Sequence, residues 1–195
     1  MKRAEGHFPG DTPDPQAGRP VTGPAENAPG VTAGGGGAAK IPTGGVRVCG
    51  IIAAGLGVGH APLAAGTVAS AVAVMTGAGL LLLSPWLLGL AALLATAGGY
   101  LAVKRAAIEG DPGWVVVDEF AGQWITLLAL VSPTVFGVIA AFILFRLFDI
   151  TKLGPVGWAD RRHGAFGIMA DDVIAGVIAA ALLTGLRLLR PHWFM

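Results

Sequence analysis

Apolar residues run through this chain in long blocks, broken by glycine, proline and a few charges. From Val48 to Val103, 56 residues pass without one Asp, Glu, Lys or Arg. Breaks at Gly57–Gly66 and at Ser84-Pro85 divide that stretch into apolar segments near residues 67–84 and 86–103. A third segment runs from Trp114 to Val131, and a fourth from Thr134 to about Ile150. A fifth, rich in Ala and Leu, runs from Asp172 to about Leu189. Each approaches the ~20 residues that a helix needs to cross a bilayer. The pattern predicts an all-α fold: a small helical integral membrane protein with four to five apolar helices, some of them half-inserted.

Residues 1–45 read differently. They hold 11 Gly and 7 Pro, including the run Gly34–Gly37, with four basic and four acidic residues. Such a stretch has too little apolar surface to offset the entropy of ordering, so a disordered N-terminal tail is expected ahead of a membrane domain at 46–195. Met1-Lys2-Arg3 starts like a signal peptide, but no apolar run follows before residue 46.

Composition narrows the function. Charged residues are 13% of the chain against about a quarter in soluble proteins, and apolar residues are 54%. That excludes a wholly disordered chain and argues against an ordinary soluble enzyme. A formal net charge of +1 gives no broad field that would attract nucleic acid. The single cysteine, Cys49, permits neither a disulfide framework nor a multi-cysteine zinc site.

Loop charges orient the segments. Arg47, the loop at 104–113 with Lys104 and Arg105, and the loop at 151–171 with Lys152, Arg161 and Arg162 fall on one side when the segments alternate. The positive-inside rule makes that side cytoplasmic. Arg187 and Arg190 then lie on the other side.

Charges within apolar segments are costly and are functional candidates by default. Asp118 and Glu119 stand side by side among Val, Phe and Trp. Pro112 sets a helix start near residue 112, which puts position 118 beyond the first turn and weakens a purely helix-dipole role for the pair. Arg146, Asp149 and Lys152 are spaced by three and share a helix face, either as a salt-bridge ladder or as a functional group. Asp171 and Asp172 open the fifth segment, where one of them suits an N-cap. Together Asp118, Glu119, Asp149, Asp171 and Asp172 place five carboxylates at the cytoplasmic ends of three segments. Carboxylate oxygens are the hard ligands that Mg²⁺ takes. The loop Gly57-Val58-Gly59-His60-Ala61-Pro62-Leu63-Ala64-Ala65-Gly66-Thr67-Val68-Ala69-Ser70 is either a Gly-rich break with Thr67 as N-cap or a phosphate cradle built on Gly57, Gly59, Gly66, Thr67 and Ser70.

In this order these stretches closely resemble the phosphatidylglycerophosphatase A family of bacterial lipid phosphatases. The matching residues are the loop at 57–70, Asp111-Pro112-Gly113 with Asp118-Glu119-Phe120-Ala121-Gly122, and the run from Phe145-Arg146-Leu147-Phe148-Asp149-Ile150-Thr151-Lys152 to Asp171-Asp172-Val173-Ile174-Ala175-Gly176. Ala65, Ala69, Leu153 and Ala165 stand where the family usually has Pro, Gly, Pro and Gly, so backbone constraints differ while every charged group is kept. The resemblance implies a multi-pass enzyme of the bacterial cytoplasmic membrane, with its active site facing the cytoplasm. Its reaction would be Mg²⁺-dependent hydrolysis of phosphatidylglycerol phosphate to phosphatidylglycerol and phosphate. It further implies Asp118 and Asp172 as metal ligands, and Glu119 and Asp171 as ligands of a second ion or as general base. Arg146 and Lys152, beside Asp149, would neutralise phosphoryl charge. Because Cys49 has Gly55 where a phosphatase loop needs Arg, a metal-activated water is a better attacking group than a covalent nucleophile. The rival reading is a small ion-coupled transporter that uses intramembrane carboxylates.

Overall fold

All regular secondary structure among the described residues, 43–108 and 110–194 of a computed structural model, is helical. The expected tail therefore lies almost wholly outside the described residues. Helix α1 (Thr43–Ala53) leads through a 3-10 turn (Gly55–His60) into α2 (Ala65–Leu83) and α3 (Pro85–Arg105). Then follow α4 (Val117–Leu127), α5 (Val135–Thr151), the short α6 (Pro155–Asp160), α7 (Gly164–Leu189) and a 3-10 turn at Pro191–Phe194.

Helices α2, α3 and α7 are long and apolar enough to cross a membrane. At 1.5 Å per residue their lengths are about 28, 32 and 39 Å, against a hydrocarbon core of about 30 Å. The reversal between α2 and α3 uses one residue. Ser84 is extended and caps α3 by accepting from the Trp86 N–H at 3.2 Å, and Pro85 occupies the first helical position, where its missing N–H costs nothing. Leu82, Leu93, Ile139 and Leu188 point outward, as side chains that meet lipid do, while Leu81, Leu88, Leu127, Ala141 and Leu183 fill the core.

Three boundaries differ from those the sequence suggests. Helix α4 starts at Val117, not near Pro112, and has only 11 residues, about 16 Å, half a bilayer. The β-branched residues before it stay out of the helix because the Val116 N–H donates to the Ala53 carbonyl at the end of α1, 2.9 Å away. Asp118 and Glu119 therefore do lie in the first turn, at the positive end of the helix dipole. Helix α7 starts at Gly164, eight residues before Asp172, with His163 as its N-cap residue. Asp171 and Asp172 sit inside the helix and neither is a cap. Helix α2 begins at Ala65 behind a left-handed Ala64, so Thr67 is within the helix rather than its N-cap.

Small residues set the helix spacing. Gly122 of α4 and Gly176 of α7 face each other so closely that a Cβ on either would strike the other helix's backbone. A Cβ on Gly77 of α2 would lie 2.5 Å from Leu127 and 2.6 Å from Trp124. Close backbone approach through small residues is the usual means of joining helices where no hydrophobic effect separates helix from lipid. The Trp124 indole N–H reaches the Ala73 carbonyl at 2.9 Å and fixes α4 against α2.

Candidate active site

The first turn of α4 and the third turn of α7 bring three carboxylates together. One oxygen each from Asp118, Glu119 and Asp172 lies within 4.8 Å of the other two. Asp118 and Asp172 are buried, 7% and 3% exposed, and no Lys or Arg forms an ion pair with any of the three among the described residues. Oδ1 of Asp118 accepts the Glu119 backbone N–H at 3.1 Å, whereas Oε2 of Glu119 is buried without a donor. Three anions at this separation, two buried and one half-buried, repel one another strongly. A cation shared among them would relieve that repulsion. The donor set is all oxygen, as hard divalent cations require. The residues present thus fit a metal ion.

Beside the triad stands Arg146, near the end of α5. It pairs with Asp149 one turn on, its Nη1 lies 3.4 Å from the Ser70 hydroxyl and its Nη2 lies 3.3 Å from that of Thr67. Ser70 in turn donates to the Gly66 carbonyl at 2.8 Å. Gly66 leaves room for these side chains: a Cβ here would press on Glu119 Oε1, which would have to shift, and would come within 3.5 Å of Arg146 Nη1. Gly66, Thr67 and Ser70 therefore do meet the charged residues. Gly57 and Gly59 serve elsewhere. Gly57 carries a left-handed turn at φ +104°, and Gly59 packs flush on the Trp114 backbone, where a Cβ would clash.

Lys152, expected beside a phosphoryl group, is paired with two carboxylates outside the triad. Its ammonium bridges Asp160 of α6 and Asp171 of α7, the latter at 2.8 Å. Burial pulls its pKa down, but the hydrogen bonds to Asp160 and Asp171 more than reverse this and hold it well above the usual lysine value. Asp171 is thus drawn to Lys152 while its neighbour Asp172 faces the triad. Two polar residues were not singled out from the sequence. Asp160, eight residues after Lys152, gave no periodic signal because the intervening chain turns at Gly154. Gln123 is fully buried with both amide atoms unpartnered, one turn below Glu119 on the same face of α4. Its signal was available, since it is a polar residue in an apolar run.

A model of the family described as phosphatidylglycerophosphatase A matches residues 51–187, most of the chain and every residue of this site. The chain belongs to that family. The phosphatidylglycerophosphatase A of Escherichia coli (strain K12) is 43% identical over 114 residues, covering 56% of this chain and 64% of the relative. That of Haemophilus influenzae is 38% identical over 107 residues, covering 53% and 63%. A Bacteroides thetaiotaomicron protein with the provisional name of a phosphatidylinositol-3-phosphatase is 44% identical over 101 residues, covering 50% and 64%. The chain thus spans just under two thirds of each of these relatives. No solved structure matches. The transporter reading finds no support in these relatives.

Proposed function

We propose that this protein is a Mg²⁺-dependent lipid phosphatase. It hydrolyses phosphatidylglycerol phosphate to phosphatidylglycerol and phosphate at the cytoplasmic face of a bacterial inner membrane. The carrying observation is the triad of Asp118, Glu119 and Asp172, two of them buried, beside Arg146, in a member of a family named for this activity. Lys104 and Arg105, at the end of α3, and the basic α6–α7 corner lie at the same end of the helices as the triad, in keeping with a cytoplasmic site.

In this reading Asp118 and Asp172 would hold the cation, with the Glu119 carboxylate beside them. Bound Mg²⁺ supplies Lewis-acid polarisation of the phosphoryl oxygen and charge neutralisation. Glu119 Oε2, buried and free of donors, accepts the proton of the attacking water. Arg146, locked in orientation by Asp149, Ser70 and Thr67, offers its guanidinium to the charge that develops on the phosphoryl oxygens. Because that geometry is fixed before substrate arrives, no reorganisation is needed at the moment of reaction. The domain at 46–195 carries all these groups, and residues 1–45 act as an extension without catalytic duties.

Phosphate release from phosphatidylglycerol phosphate by the purified protein in mixed micelles is the test. Activity should disappear with EDTA and return with excess Mg²⁺. Full turnover in EDTA removes the metal from the reading, and no turnover with Mg²⁺ removes the substrate.

A further inference from the structure

A cavity of about 350 Å³ with several charged residues in its walls opens where α6 turns into α7. Its walls carry Asp111 from the loop before α4, Asp160, Arg161 and His163 from the corner, and Ile168 and Asp171 from α7. The corner is built for close approach: Gly164 is left-handed at φ +73°, and Gly167 packs so tightly on the Arg162 carbonyl that a Cβ would clash. The Arg162 guanidinium lies over the Trp158 ring, 4.5 Å from its centroid. Arg161 is exposed and has neither ion pair nor ring partner among the described residues.

Asp171 stands in the wall of this cavity. It is only 5% exposed, Lys152 satisfies its Oδ2 at 2.8 Å, and its Oδ1 is buried without any donor. An unpaired buried carboxylate oxygen bears its full desolvation cost, and the cavity is where a donor can arrive. That donor is not a second cation, because the Lys152 ammonium already stands between Asp160 and Asp171. A hydroxyl group fits instead. Asp171 and Asp172 are consecutive on α7, so their side chains diverge by about 100°. One faces the triad, and the other faces the cavity.

We propose that this cavity is the headgroup subsite of the lipid phosphatase read above, on which the inference rests. It takes the polyol part of a phosphorylated lipid headgroup: a hydroxyl donates to Asp171 Oδ1, and Arg161 meets the phosphodiester that links polyol to lipid. The volume lies at the small end of the range for ligand sites, about 300–1,000 Å³, which suits a glycerol-sized group. Selection of headgroup and cleavage of phosphate are thereby divided between two neighbouring residues of one helix.

The purified full chain, with Mg²⁺, should be assayed on phosphatidylglycerol phosphate and on phosphatidate, which carries a phosphomonoester but no headgroup polyol. Arg161→Ala should lower the ratio of kcat/KM for the first lipid over the second at least tenfold, mainly through KM, and Arg161→Lys should restore most of it. An unchanged ratio overturns the proposal whatever the absolute rates. Calorimetric titration with soluble glycerophosphoglycerol gives a readout without chemistry. Binding weakened at least tenfold by Arg161→Ala supports the subsite, and equal binding or none to the wild type overturns it. If neither lipid is turned over yet Arg161-dependent binding is seen, the phosphatase reading fails and the polyol site stands. If both lipids are turned over with an unchanged ratio, the reverse holds.

Discussion

Gly122 and Gly176 each lie four residues, about one turn, beyond a carboxylate of the triad: Gly122 follows Asp118 on α4, and Gly176 follows Asp172 on α7. The two helices enter from the same end, so the point at which their backbones touch fixes the distance between the acids one turn away. Thr126, one turn further still, donates to the Gly122 carbonyl at 2.9 Å and approaches the Gly176 carbonyl at 3.3 Å, which ties the crossing on its far side. The helix pair works as a clamp whose jaws are Asp118 and Asp172.

Opening that clamp should cost stability and activity together. Gly176→Ala places a methyl group against the Gly122 backbone, where nothing can yield by a rotamer change. We expect a loss of about 1–3 kcal/mol, as overpacking costs, with turnover falling more than the folded fraction does. Thermal unfolding in detergent together with activity per folded molecule checks this. Wild-type values for both would show that the contact is slack.

The two neighbouring aspartates on α7 should behave differently. Asp172→Asn removes a charge from the triad and should reduce kcat on the order of 10²-fold or more, with the protein still inserted in the membrane. Asp171→Asn should spare kcat far more, since that side chain is paired with Lys152 outside the triad. Equal damage at both positions, measured at matched protein levels, would contradict the separation seen in the fold.

Gly66→Ala addresses the contact between phosphate-side and metal-side residues. The added carbon would push directly on Glu119 Oε1 at the start of α2, where the helix itself tolerates alanine well. Activity should fall at least tenfold with little change in melting temperature. A variant that is both stable and fully active would show that Glu119 has room to move aside.

Single cysteines at Arg105 and Arg190, introduced after Cys49 is replaced by Ser, should be labelled from opposite faces of the membrane. Arg105 closes α3 on the side of the triad, and Arg190 follows α7 at the other end. Labelling of both by an impermeant reagent from one side would break the topology.

Deletion of residues 2–40 should leave activity and insertion nearly unchanged, because the family match begins at residue 51 and α1 at Thr43. A tenfold drop in turnover per folded molecule would give the extension a part in the reaction.

Much of the site is legible in the sequence because lipid makes charge conspicuous. Asp118, Glu119 and Asp172 stand out against apolar neighbours, and Arg146 and Asp149 pair at the spacing that a helix face dictates. Helix boundaries are less legible. Pro112 looks like a helix start, yet a backbone bond from Val116 to Ala53, distant in sequence, holds that stretch extended until Val117. A single aspartate pair before an apolar run resembles a cap, yet α7 begins a full two turns earlier at a left-handed glycine. The contact of Gly122 with Gly176 is invisible locally, since each is one glycine among 31 and only the packed bundle makes them partners.

Helix α4 ends at Leu127, and the backbone that turns from it toward α5 would stand at a depth where lipid offers no hydrogen bonds. The chain there bonds to itself, with the Leu128, Ala129 and Leu130 N–H groups donating to the Trp124, Thr126 and Leu127 carbonyls, and the 3-10 turn at Pro191–Phe194 packs beside it. Phe194 is buried in the same cluster as Leu130 and meets Phe136 edge to face at 5.3 Å, with Trp193 on the same ring at 5.2 Å. These aromatic rings form a floor under the half-length helix. The turn between α4 and α5 is thereby braced by a short hook that follows α7, at the end of that helix remote from the triad.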